Sequence, residues 1–149
     1  MFIPLFLSIG FFIAVLYMDL VFDVSALPYR KTGSKLPKEI LDPIVLYYRY
    51  ITKNPWLLIF VMLVAATSII AEVVFMMVPK WIGYSSLVMF ATIMLLAVLR
   101  VIPCAQRLAS GKDVEEKQTR LVHGLFPYHI LMLILVLSLA LLQYRSSAG

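Results

Sequence analysis

Residues 56–78 read WLLIFVMLVAATSIIAEVVFMMV, a run in which Glu72 is the single ionisable side chain. About 20 mostly apolar residues suffice to cross roughly 30 Å of hydrocarbon as a helix. Lipid cannot satisfy backbone N–H and C=O groups, so a helix is the economical way to span it. This stretch therefore predicts a membrane-spanning helix, and three others share its character. They run from Phe2 to about Phe22 with Asp19 inside, from about Trp81 to Ile102 with Arg100 near the end, and from about Leu121 to Tyr144 with His123, Pro127 and His129 inside. No stretch keeps the strict alternation of a lipid-facing barrel strand.

Composition agrees with this reading. Of 149 residues, 62% are hydrophobic and 14% charged, whereas a soluble domain is about half apolar and roughly a quarter charged. A soluble fold of this size could not bury so much apolar surface. A disordered chain is excluded on the same ground, and one cysteine, Cys104, cannot form an internal bridge. The expected architecture is an all-α, four-helix transmembrane bundle forming a single domain over residues 1–149.

The connections differ in length. Pro79 and Lys80 join spans two and three in a tight antiparallel hairpin. The first connection, Asp23 to Pro55, has room for a short amphipathic helix at the membrane interface. There Asp42-Pro43 reads as an N-cap followed by proline at the first helical position, and Ile44, Val45, Tyr48 and Ile51 recur at helical spacing. Asp113 with Glu116 has the logic of a capping box opening helix four. Val24-Ser25-Ala26 looks like a signal-peptidase site, but no Lys or Arg precedes the apolar stretch, so it is kept as a span.

Charge orients the chain. Arg30, Lys31, Lys35, Lys38, Arg49 and Lys53 follow span one, and Arg100, Arg107, Lys112, Lys117 and Arg120 surround the end of span three. These are eleven of the thirteen basic residues, against Lys80 and Arg145 on the other face. The positive-inside bias predicts both long connections inside and both termini outside, in a plasma or inner membrane or an organelle's equivalent. Membrane lipids, with anionic headgroups on the inner face, are the expected counterpart of the net charge. No recognition motif accompanies the basic residues, which argues against nucleic acid.

Ionisable residues inside spans are costly and therefore informative. Asp19 and Asp23, four apart, share a helix face. Arg100, Pro103, Cys104 and Arg107 fall at i, i+3, i+4 and i+7 and predict one stripe of helix three. His129 lies about two turns into helix four, and Tyr47, Tyr48, Arg49 and Tyr50 stand at the same level. An Asp19–Arg100 pair is expected to neutralise two expensive charges. If chemistry occurs, Asp19, Arg100 and His129 are the candidate catalytic residues, with Asp23, Tyr48, Arg49, Arg107 and Glu72 as candidate ligand contacts. Pro127 predicts a bend near Gly124–Pro127 that opens space beside His129.

His123 and His129 are six apart and do not share a face. No zinc, di-iron or c-type haem signature occurs, so no metal and no cofactor is expected, a single axial histidine for haem being the arrangement left open. Glu72 belongs near the outer leaflet, at the level of Gln143 and Tyr144. It is either a hydrogen-bonded structural glutamate or a carrier carboxylate.

In layout the chain resembles a diffuse group of small bacterial-type four-span membrane proteins. The shared features are M-D-L-x-F-D (Met18 to Asp23), Y-Y-R (Tyr47 to Arg49), R-x-x-P-x-x-x-R (Arg100, Pro103, Arg107) and a histidine in helix four (His129). It is more remotely similar to the anthrone-oxygenase-like membrane proteins, but lacks the arginine those carry in span four. Three functions follow as expectations: a structural or accessory protein that binds lipids or partners; an enzyme acting on a lipophilic aromatic or quinone-like substrate; and a proton-coupled carrier using Glu72. The open alternatives for assembly are a homodimer and a larger membrane complex.

Overall fold

The computed structural model describes residues 3–32 and 35–148. Phe2 and the Lys31 side chain, both named above, lie outside the described part. Among the described residues the chain is all helical, with four helical stretches long and apolar enough to cross a membrane. Helix α1 is Ile3–Thr32, α2 Lys38–Lys53, α3 Trp56–Val74 and α4 Lys80–Leu96. A π-helical turn, Ala97–Val101, leads into α5, Ile102–Ser110, and α6 is Glu115–Ala148. The protein is an all-α, four-span membrane bundle. Only 17% to 28% of each span is buried inside the protein, so the apolar remainder needs lipid around it.

The chain forms two compact units. One comprises Met1–Leu16, Trp56–Leu95 and Leu131–Gly149; the other comprises Tyr17–Pro55 and Leu96–Ile130. In the first unit each helix buries one stripe. On α3 it is Ala65, Ser68, Ile69 and Glu72; on α4 Ser86, Phe90 and Ile93; on α6 Met132, Val136, Leu139 and Gln143. These spacings are multiples of the helical turn, so one face packs while Leu57, Phe60, Leu63 and Val88 point outward.

Helix α3 ends four residues before the predicted span does. Met76 takes a left-handed φ of 51°. The Met77 N–H reaches the Glu72 carbonyl at 3.0 Å and the Met76 N–H reaches Val73 at 3.4 Å. That is a Schellman cap with methionine where glycine is usual, which is why sequence inspection passed over it. The hairpin then closes so tightly that a Cβ on Gly83 would stand 2.9 Å from a Val73 methyl. Gly83→Val should therefore destabilise the protein by about 1–3 kcal/mol through overpacking. In a Val73→Ala background most of that loss should disappear; an equal loss in both backgrounds, read by thermal unfolding in detergent, would refute the contact.

In the second unit α2 docks on α5. Leu41, Ile44 and Tyr48, at i, i+3 and i+7, join Ala26, Leu36, Ala105, Leu108, Val122 and Leu125 in one core. Here the sequence reading needs three corrections. Helix α1 does not stop near Phe22 but continues to Thr32, past Pro28. Polarity ends a membrane span, not a helix, and Ala26 still packs into the core. Helix α2 starts at Lys38, with the Pro37 carbonyl accepting from Ile40 and Leu41 at 3.0 Å each. Pro43 lies inside it rather than at its start. Helix α6 is opened by the Val114 carbonyl, which accepts from Lys117 at 2.9 Å and Gln118 at 3.1 Å; the Asp113–Glu116 capping box does not form, because the Asp113 carboxylate is held by cations. Helix α6 runs through Pro127 without interruption.

Candidate functional site

The second unit brings four sequence-predicted residues together. Asp19 and Asp23, one turn apart on α1, are both buried and both face His129 of α6, whose ring is wholly enclosed. His129 Nδ1 lies 2.6 Å from Asp23 Oδ2, and His129 Nε2 lies 3.9 Å from Asp19 Oδ2. The Tyr47 hydroxyl of α2 donates to Asp19 Oδ1 at 2.9 Å. With Asp23 ionised and able only to accept, Nδ1 carries the hydrogen and the neutral ring keeps its lone pair on Nε2. Nε2 and the Tyr48 hydroxyl are buried without a hydrogen-bond partner.

The tyrosines are fixed by packing. Tyr47 lies against Phe22 with ring centroids 4.5 Å apart, and against Tyr48 at 5.3 Å. Burial first, and the Asp19 carboxylate second, push both phenols well above the ordinary tyrosine range. Both hydroxyls therefore keep their protons across any ordinary pH, and Tyr47 serves as a standing donor. His123 lies outside the cluster, its Nε2 donating to the Ala26 carbonyl at 3.2 Å.

Arg100 does not join the cluster. It is exposed on the π-helical turn and makes no ion pair with Asp19, whose partner is a neutral phenol instead. The expected Asp19–Arg100 pair is thus wrong, and the π turn gives the reason. Its closing bond runs from the Ile102 N–H to the Ala97 carbonyl, so the turn holds one residue more than an α turn. Everything beyond it is rotated by roughly 100° relative to an unbroken α-helix. Arg107 is also elsewhere, 3.0 Å from Asp113, which Lys117 meets at 3.1 Å. Arg49 braces the end of α5: its Nε donates to the Ala109 carbonyl at 3.2 Å. Its Nη2 lies 3.3 Å from where a Cβ would stand on Gly111, whose φ is +62°.

The Asp113 contacts carry a pH dependence. Lys117 first, with Arg107 adding to it, holds this carboxyl below its ordinary 3.8. A depressed folded value means that the contribution is full above the unfolded value and is lost as pH falls through the folded one. Amide exchange between Gly111 and Lys117 should therefore accelerate below about pH 3.8 relative to the rest of α6. Asp113→Asn should remove that acid step; an unchanged step would show that the pairs do not order the loop.

The first unit holds a separate polar contact that includes Glu72. Gln143 Nε2 lies 2.9 Å from Glu72 Oε2 and 2.9 Å from the Ser86 hydroxyl. All three residues are buried. Ser86 was not singled out from sequence, since a serine in an apolar helix most often bonds its own backbone, as Ser68 does to Val64. Among the described residues no group of three or more His, Cys, Asp or Glu is placed to hold a metal ion. Comparison with protein-family models, curated proteins and solved structures finds no match to this chain.

Proposed function

We propose that this multi-pass membrane protein has a structural or accessory role, with the Asp19–Tyr47 and Asp23–His129 bonds joining α1, α2 and α6. The observation that supports this reading most is the complete enclosure of His129 at 2.6 Å from Asp23. Ionisable side chains in a span are tolerated when they satisfy one another, and a bond of this length between helices sets their register. The anionic headgroups of the inner leaflet are the partners that the basic connections fit.

One observation favours a second reading, a small enzyme acting on a lipophilic substrate. His129 has its Nδ1 oriented by a carboxylate and its Nε2 without a partner, the arrangement of a positioned general base. Mass spectrometry of organic extracts from purified wild-type protein and His129→Gln separates the two. The structural reading expects the same extract from both and a lower melting temperature for the variant. A lipophilic compound present in wild type and missing from a still-folded His129→Gln would overturn it in favour of the enzyme.

A further inference from the structure

On the second unit, Val24, Leu27, Pro28 and Arg30 line an open groove of about 690 Å³ along α1. That volume lies within the range of roughly 300–1,000 Å³ typical of ligand clefts. Val24, Leu27 and Pro28 stand at i, i+3 and i+4, so they form one apolar strip. Pro28 has no N–H, and the Val24 carbonyl one turn earlier is left without its helical donor. Arg30 closes the strip at the end of the apolar span. Its side chain is exposed and has no ion pair among the described residues.

We propose that this groove binds one anionic phospholipid. An acyl chain lies along Val24, Leu27 and the Pro28 ring, the phosphate sits on the Arg30 guanidinium, and a headgroup hydroxyl donates to the Val24 carbonyl. Three features point to that class together. The strip is apolar and continuous with the lipid-facing surface of a span. The one charge at its end is an unpaired guanidinium, which matches phosphate in geometry and sign. The unsatisfied carbonyl asks for a donor, which a glycerol headgroup carries and a choline headgroup does not. The site is independent of the His129 cluster and of the role proposed for it.

The test uses the full chain in mixed micelles holding equal amounts of phosphatidylglycerol and phosphatidylcholine with matched acyl chains, with retained lipid read by native mass spectrometry. Wild type is expected to retain phosphatidylglycerol preferentially. Arg30→Gln, an exposed change that leaves packing intact, should reduce that preference about fivefold, the equivalent of about 1 kcal/mol per basic residue near a membrane surface. Leu27→Trp should lower retention of both lipids by filling the strip, and Lys80→Gln, on the other unit, should change nothing. Equal retention of the two lipids by wild type would overturn the proposal. So would a preference that survives Arg30→Gln, or retention indifferent to Leu27→Trp in a variant whose melting temperature matches wild type.

Discussion

His129→Ala is expected to lower the unfolding free energy by about 3–5 kcal/mol, the largest single effect in the molecule. The ring is fully enclosed, and its removal leaves Asp23 buried with neither its hydrogen-bond partner nor water. A cavity the size of an imidazole adds to the loss. The paired replacement Asp23→Leu with His129→Leu should recover much of it, because two apolar side chains of similar bulk need no partner in this environment. Unfolding in mixed micelles across the four proteins of the cycle gives the coupling directly. Additive losses would mean that the 2.6 Å contact contributes nothing to the fold.

The next largest effect belongs to the other unit. Gln143→Leu should cost about 1–3 kcal/mol, since it strips the donor shared by the Glu72 carboxylate and the Ser86 hydroxyl while leaving both oxygens buried. Glu72→Leu in the same chain should restore part of that stability, because an apolar side chain has nothing to satisfy. If Gln143→Leu melts with wild type, the amide is ornamental and Glu72 is held by other means.

What could be read from the sequence follows from what the bilayer demands. Four apolar runs of about 20 residues are unmistakable, because nothing shorter crosses hydrocarbon and nothing less apolar enters it. Asp19 and Asp23 could be placed on one face by their spacing, and His129 could be turned inward because lipid tolerates it poorly. Helix ends were harder. Met76 adopts the left-handed conformation without being glycine, and Pro43 sits mid-helix where a start was expected. The partner of Asp19 was missed for a different reason. Electrostatic reasoning looked for a cation, and Arg100 lay at suitable depth. The π turn at Ala97–Val101 has no residue signature, yet it rotates the following stripe. The group that reaches Asp19 is the Tyr47 phenol, a neutral donor from a helix outside the spans.

The crossing of Arg49 over Gly111 has an evolutionary reading. Two demands meet at that glycine: a left-handed backbone, and space taken by the guanidinium that holds the Ala109 carbonyl. A lineage that exchanges Arg49 for a smaller residue relieves the crowding but leaves the backbone demand in place. Drift at the pair should therefore run one way. Descendants with Gly111 and an altered residue 49 should be found, whereas a bulky residue at 111 beside an intact Arg49 should be rare, since it meets both barriers at once.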